Sequence, residues 1–392
     1  MDIAPFSVRA RTAALRRRAA RLLLGDDLER PDGLCRESPE WLVLVVNNFC
    51  NLHCRMCDVG VGESPSVFYK HLVGEDRRNM SIELLQRVLA QASRFRPRPR
   101  VGLAYTEPLM HPRIVELSEA VTRRGFFCAV TTNGYRLPEL ADALVDAGLD
   151  QLTVSVDGPG DVHDRVRGRP GSFERIRRGL ERLREHRRVR GARRPRVLIS
   201  FTITDLGVGH LVDFANDVLA FGAAGINVSH PNFISNEMAA AHNRRHPELG
   251  VAPSNQGPMD LSALDAGLLW REIQEIKSWA RAPGHPPVTV VPDLATPDAV
   301  AGYYRRPSDF VGGRRCSDPW RMMMVKTDGT VIPAHGRCYD VPVGNVERQT
   351  LSEIWNAPRF RDFRVTLREA GGSLTACARC CGVIGKSVEP GS

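Results

Sequence analysis

The chain has 392 residues, 42% of them hydrophobic and 25% charged, ordinary globular proportions with room for two domains. No apolar run approaches the roughly 18 residues of a membrane span, and the arginine-rich N-terminus lacks the uninterrupted apolar stretch of a signal peptide, so a cytoplasmic protein is expected. The formal charge of +9 is almost all arginine, but these residues interleave with acids, as over 181–188, which reads as a solvated helix face rather than a nucleic-acid or membrane surface.

Residues 1–30 pattern as an arginine-rich amphipathic helix, closed by a Pro31–Gly33 break, so 1–40 reads as an N-terminal helical extension. From Trp41 a beat of short β-rich run, loop and helical run begins. Strands are expected over 41–47, 100–105, 126–132, 151–157, 196–204 and 224–229. Helices are expected near 81–95, 112–124, 137–147, 172–187 and 208–221, with Ser81 and Glu83 as a helix start. Such alternation predicts an α/β fold, with βα units over 41–231 forming a partial (β/α)6 barrel open on one side. The reactive face then lies at the C-terminal ends of the strands. Residues 232–313 are rich in Pro, Asn, Gly and Ala and read as a linker or cover, with a helix near 260–281 and a weak strand at 288–292. Residues 314–392 open on a hairpin pattern, 321–326 and 330–333 around Asp328-Gly329, followed by a helix near 350–356 and a cysteine cluster.

The first strand, Trp41-Leu-Val-Leu-Val-Val46, runs directly into Cys50-Asn-Leu-His-Cys54-Arg-Met-Cys57. Three thiolates on one short loop cannot pair evenly as disulfides, and in a reducing compartment clustered thiols more often bind metal. Soft thiolates suit three irons of a cubic 4Fe–4S cluster, leaving one iron open to bind a further group. The alternative is structural zinc, which takes four ligands and usually C-x2-C pairs.

These cysteines resemble the cluster motif of the radical S-adenosylmethionine (SAM) enzymes. The resemblance implies that the open iron binds the amino and carboxylate groups of SAM. An electron from the cluster then releases a 5′-deoxyadenosyl radical that abstracts hydrogen from the substrate. Ala104-Tyr-Thr-Glu-Pro-Leu-Met-His-Pro112 is similar to the family's Gly-Gly-Glu-Pro segment, which holds the methionine amino group, with Tyr105 and Thr106 in place of the glycines and Glu107 kept. Thr132-Asn133-Gly134 ends the third strand as in relatives. Val154-Ser155-Val-Asp157-Gly158, followed by Arg167, resembles the family's fourth-strand segment, where serine and aspartate approach ribose and methionine and an arginine reaches the carboxylate. Met56 stands where relatives often pack an aromatic residue beside adenine. The resemblance therefore implies SAM contacts at Met56, Tyr105, Thr106, Glu107, Asn133, Ser155, Asp157 and Arg167.

Cys316-Ser-Asp-Pro-Trp320, Cys338 and Cys377-Ala-Arg-Cys380-Cys381 resemble the SPASM and twitch extensions, which bind auxiliary 4Fe–4S clusters. Five cysteines favour one auxiliary cluster over two, with Cys316, Cys338, Cys377 and Cys380 as ligands. Cys381 is spare or replaces Cys380, and a zinc ribbon is the alternative. Cys35 and Cys128 read as packing cysteines.

Relatives with such extensions either modify peptides, often through an added N-terminal peptide-binding module, or oxidise or rearrange small polar metabolites. The first forty residues are too short and arginine-rich for that module. A single auxiliary cluster resembles the aminocyclitol- and aminoglycoside-tailoring members, 2-deoxy-scyllo-inosamine dehydrogenase among them. This implies dehydrogenation of an alcohol to a ketone, or radical dehydration, in antibiotic biosynthesis. A peptide maturase and a non-catalytic electron carrier are the alternatives. Position past the sixth strand nominates His230, Asn232, Asn236 and Glu237 for substrate, with Asp309 further on. His335, near the auxiliary cysteines, is the candidate base. The expected partners are a small-molecule substrate and an acidic electron donor such as flavodoxin or ferredoxin, steered by a basic rim.

Overall fold

The computed structural model describes residues 26–62, 66, 69, 72–73, 76–249, 252–255, 259–261, 263–311, 315–334 and 341–384. Six strands lie side by side in chain order, all parallel: β1 (Trp41–Leu44), β2 (Arg100–Leu103), β3 (Cys128–Thr132), β4 (Gln151–Ser155), β5 (Arg196–Thr202) and β6 (Ile226–Ser229). The helices Ile82–Ala92, Ile114–Arg123, Leu137–Asp146, Ser172–Val189 and Leu211–Leu219 alternate with them. The first of these shows why. Ser81 caps it by accepting from the Leu84 N–H at 3.0 Å, and Ile82, Leu85, Val88, Leu89 and Ala92 fall on one buried face. Each large apolar side chain so buried is worth about 1.5–3 kcal/mol.

Two more parallel strands join this set. β7 (Val288–Val291), from the cover segment, pairs with β6, and β8 (Met322–Val325), from the C-terminal part, pairs with β1, Trp41 opposite Met322. β9 (Thr330–Ile332) and β10 (Gly344–Asn345) continue antiparallel, giving a ten-stranded sheet ordered β10-β9-β8-β1-β2-β3-β4-β5-β6-β7. The β8–β9 hairpin turns at Lys326–Gly329, around the expected Asp328-Gly329.

The two faces of the sheet differ. Leu42, Leu44, Leu103, Val130, Val154, Ile199, Val228 and Val325 point outward and are fully buried beneath the helices. Their neighbours in sequence point inward, where Val43, Val45 and Met324 form a separate apolar group with Leu72 and Val59.

Most of the helix expected over 1–30 lies outside the described residues. From Asp26 the chain makes one 3-10 turn and then runs as an extended strap across the C-terminal part. The Trp320 indole donates to the Asp27 carbonyl at 3.1 Å, and the Trp355 indole donates to the Glu37 carbonyl at 2.8 Å. Asn356 exchanges two bonds with the Cys35 backbone, each 2.9 Å. Cys35 is buried there, and burial pushes its thiol up to about 12, the behaviour of a packing residue. On the helix Ser172–Val189, Arg177, Arg178, Arg182 and Arg188 are paired with Glu174, Glu181, Asp142 and Glu185, so much of that positive charge is neutralised. No helix among the described residues is long and apolar enough to cross a membrane.

Candidate iron–sulfur and cofactor site

The cysteine loop leaves β1 at the C-terminal end of the sheet and folds back on itself. His53 Nδ1 lies 3.1 Å from the Gly60 carbonyl oxygen. A Cβ at Gly60 would sit 2.6 Å from the Cys54 nitrogen, so only glycine permits this closure. The loop is docked on the end of the helix Gly160–Arg167. The His53 N–H donates to the Arg167 carbonyl at 3.2 Å and the Arg55 N–H to the Val166 carbonyl at 3.0 Å. Gly168 follows in the left-handed region, φ +64°, with its Cα so close that a Cβ would meet the His53 oxygen at 2.5 Å. Arg55 pairs with Asp205 at 2.7 Å and Arg169 donates to the Asn51 carbonyl at 3.1 Å.

This arrangement fits a thiolate-ligated cluster. Burial pushes the Cys50 thiol up to about 11, with the negative charges of Glu107 and Cys57 adding to the rise. Burial likewise raises Cys54, Arg167 opposes the rise, and Cys57 and Cys50 add to it. Cys50 and Cys54 are thus costly to deprotonate, because burial and neighbouring negative charge disfavour the thiolate, and bound iron offsets that cost by supplying positive charge. Two donors already face the sulfurs. Arg167 Nη1 lies 3.6 Å from Cys54 Sγ, and Asn133 Nδ2 lies 3.7 Å from Cys50 Sγ and 2.9 Å from Asn51 Oδ1.

The β2–β3 end carries the other expected cofactor residues. Glu107 is 1% exposed and accepts from the Leu109 N–H (2.9 Å), the Thr132 hydroxyl (2.6 Å) and the Asn133 N–H (2.6 Å). Burial raises this carboxyl and those three donors pull it back. Glu107 is thus first a brace between two loops, with little accepting capacity left over. Thr106 Oγ1 is 2.6 Å from both the Asn47 carbonyl and its Oδ1, while Asn47 Nδ2 donates to the Glu107 carbonyl at 2.7 Å. Asn47 was not among the expected residues; an asparagine just past an apolar strand gives no distinct signal. Tyr105 adopts φ +86°, the conformation favoured by the glycine it replaces. Its ring packs against the inner apolar group around Val43, Val45, Met324 and Cys57. Met56 is half-buried against the main core.

Asp157 and Arg167 form a buried pair, 2.5 Å from Oδ2 to Nη2. Burial pushes the Asp157 carboxyl up; the guanidinium and the Thr202 N–H, 2.7 Å from Oδ1, pull it back. Burial lowers Arg167, but the charges of Asp157 and Cys54 more than offset this, and its guanidinium stays protonated.

The inner face of the sheet has a pattern that position along the chain did not reveal. On β5, Val197, Ile199 and Phe201 are at most 1% exposed, whereas Leu198, Ser200 and Thr202 are only half-buried. Strand register sets Ser155 beside Ser200, Ser200 beside Asn227, and Asn227 beside Thr289. Thr131 stands beside Thr153, and Thr202 beside Ser229. The side from β3 to β7 therefore carries hydroxyls and the Asn227 amide, with Gln151, Arg196 and Leu198 nearer the strand starts, while the side at β8 and β1 carries Met322, Met324, Trp41 and Val43. No inward position on β1 to β8 carries a carboxylate. Period-two alternation in Arg196–Thr202 and Ile226–Ser229 is the signal that would have found these residues.

The nominated substrate residues lie elsewhere. His230 keeps the outward parity of Ile226 and Val228, is 1% exposed, and bonds through Nδ1 to the Tyr304 hydroxyl at 2.7 Å. That alternation turns it away from the inner face. Asn232 is half-buried, and Asn236 and Glu237 are exposed on the first turn of the helix Asn236–Arg245. Asp309 is exposed and pairs with Arg306 at 3.1 Å. None of the five is brought together with the cysteine loop by a described contact.

In the C-terminal part, Cys316 is buried, Cys377 and Cys380 are half-buried, and Cys381 is exposed. A Cβ at Gly382 would lie 2.9 Å from Cys316 Sγ, which places Cys316 against the 380–382 turn. Cys338 and His335 lie outside the described residues. Arg379, fully buried within this turn, donates to the carbonyls of Tyr303 (2.8 Å), Arg306 (2.8 Å) and Asp309 (2.5 Å), fastening the turn to the end of the helix Pro297–Arg305.

Residues 44–204 match the radical SAM superfamily, and residues 316–381 match an iron–sulfur cluster-binding domain, SPASM. The chain therefore carries a radical SAM domain followed by a SPASM domain. The chain is 33% identical over 144 residues to an AdoMet-dependent heme synthase of Methanosarcina barkeri, covering 35% of this chain and 36% of that protein. It is 25% identical over 364 residues to the tungsten-containing aldehyde ferredoxin oxidoreductase cofactor-modifying protein of Pyrococcus furiosus, covering 86% and 87% of the two. The chain thus spans about a third of the first relative's length and most of the second's. Its fold is similar to that of SuiB from Streptococcus suis bound to S-adenosylmethionine, with a TM-score of 0.60, 13% identity, and 92% and 75% of the two chains covered. The radical SAM domain brings a 4Fe–4S cluster and SAM, and the SPASM domain an auxiliary iron–sulfur cluster. Cys50, Cys54 and Cys57 are the residues that fit the first.

Proposed function

We propose that this enzyme oxidises a hydroxyl-bearing carbon of a small, hydroxyl-rich metabolite of the aminocyclitol or aminosugar class, giving a ketone. The register-aligned row Ser155–Ser200–Asn227–Thr289, half-buried on the inner face of the sheet, carries this reading. Four neighbouring side chains that both donate and accept suit successive ring hydroxyls. The absence of a carboxylate at the inward strand positions favours a monoamine over a polycation, because a buried ammonium without an acid is costly. When bound, SAM on the triad's cluster supplies the hydrogen-abstracting radical, and the auxiliary cluster a one-electron acceptor. A net oxidation uses that acceptor; a redox-neutral dehydration does not. An acidic flavodoxin or ferredoxin suits the +9 chain as reductant.

Anaerobic turnover of reconstituted enzyme with monoamino-cyclitols, read by mass spectrometry, tests this. The expected product has lost two hydrogens. Asn227→Leu is expected to raise KM at least tenfold, about 1.4 kcal/mol of lost recognition, with SAM affinity unchanged. Loss of water instead of hydrogen would replace dehydrogenation by dehydration. Turnover of a peptide but of no cyclitol would overturn the reading.

A further inference from the structure

We propose that Arg167, braced by Asp157, is a positioning residue that donates to the Cys54 sulfur and raises the reduction potential of the cluster held by Cys50, Cys54 and Cys57. Sequence likeness assigned Arg167 to the SAM carboxylate; the geometry commits it elsewhere. Of its three nitrogens, Nη1 faces Cys54 Sγ at 3.6 Å, Nη2 holds Asp157 Oδ2 at 2.5 Å, and Nε is buried without a partner. Its carbonyl accepts the His53 N–H at 3.2 Å, so main chain and side chain grip the same loop.

Asp157 cannot swing away. It is fully buried, accepts the Thr202 N–H at 2.7 Å, and its own N–H donates to His163 Nδ1 at 3.1 Å. His163 is fully buried, leaving Arg167 as the cation nearest Cys54 among these groups. A fixed positive charge and an N–H···S bond both stabilise the more negative, reduced cluster more than the oxidised one. Low local dielectric strengthens the effect. Asn133, neutral and 3.7 Å from Cys50 Sγ, acts the same way more weakly.

The test is an EPR-monitored redox titration of the anaerobically reconstituted protein. The auxiliary signal is subtracted with a Cys50→Ala/Cys54→Ala/Cys57→Ala variant. Arg167→Gln is expected to move the potential of the triad's cluster negative with iron content unchanged, while its apo-protein melts lower because Asp157 loses its buried partner, and Asn133→Ala to move the potential less. Should Arg167→Gln hold no iron, Arg167→Lys is titrated in its place, with a smaller negative shift expected because charge remains without the fork. An unshifted potential in the variant that assembles, with weakened SAM binding, would assign Arg167 to the cofactor and overturn the proposal.

Discussion

Glu107→Ala is expected to cost at least a hundredfold in 5′-deoxyadenosine formation and about 3–5 kcal/mol in stability. The carboxylate is 1% exposed and serves three donors from two loops. Alanine leaves the Leu109 N–H, the Thr132 hydroxyl and the Asn133 N–H buried without an acceptor, each at about 1–3 kcal/mol, partly recovered by relaxation. Asn133 also loses the bond that holds its backbone, and with it the placement of its amide beside Cys50. Glu107→Gln keeps one oxygen for Leu109 and Thr132 but turns an NH2 group toward the Asn133 N–H, so an intermediate loss is expected. Thermal melting and product assays on both variants check this. A Glu107→Ala protein that melts with the wild type would show that the carboxylate does not brace these loops.

Arg364→Ala is expected to destabilise by about 3–5 kcal/mol without touching the cluster loop. The guanidinium is fully buried, and burial lowers it to about 10, so it remains charged at neutral pH. It donates to the carbonyls of Pro319 (2.9 Å) and Gly33 (3.1 Å) and to Asn356 Oδ1 (3.1 Å), and its Cζ lies 4.5 Å from the centre of the Trp355 ring and 4.1 Å from that of Phe360. It therefore joins the strap after Asp26 to the C-terminal part. Arg364→Met refills most of the volume but leaves the same three acceptors unpaired, so the difference between the two variants isolates packing from hydrogen bonding. At about 1 °C per kcal/mol for a cooperative unit of 392 residues, alanine is expected to lower Tm by roughly 5 °C and to expose the strap to protease. Equal melting of Arg364→Ala and wild type would deny the strap its role.

The strands of the barrel were legible because each is a short apolar run followed by a helix start, as in Trp41–Val46 or Ser81–Ala92. Val288–Val291 was read only as a weak strand because it sits in a Pro- and Asn-rich stretch, and its pairing with β6 is a long-range event that local residues do not announce. The same holds for β8 on β1, since a hairpin pattern does not say which edge it will join. The helix Pro358–Glu369 was missed although Phe360, Phe363 and Leu367 follow helical spacing after an N-terminal proline. The cysteine triad stood out in the sequence because thiolate spacing carries its chemistry with it. The present contacts of Glu107 and Arg167 did not, because a residue type fixes what a side chain can bond, not which partner reaches it first. The bond from His230 to Tyr304 was equally silent, since it joins residues far apart in the chain.

Iron analysis and SAM cleavage by dithionite-reduced wild type and by the Cys50→Ala/Cys54→Ala/Cys57→Ala variant, side by side, test the central claim. The variant is expected to retain only the auxiliary cluster's iron and to form no 5′-deoxyadenosine, while the wild type forms it continuously. Equal iron in the two proteins, or 5′-deoxyadenosine formed by the variant, would contradict a catalytic cluster held by those three cysteines.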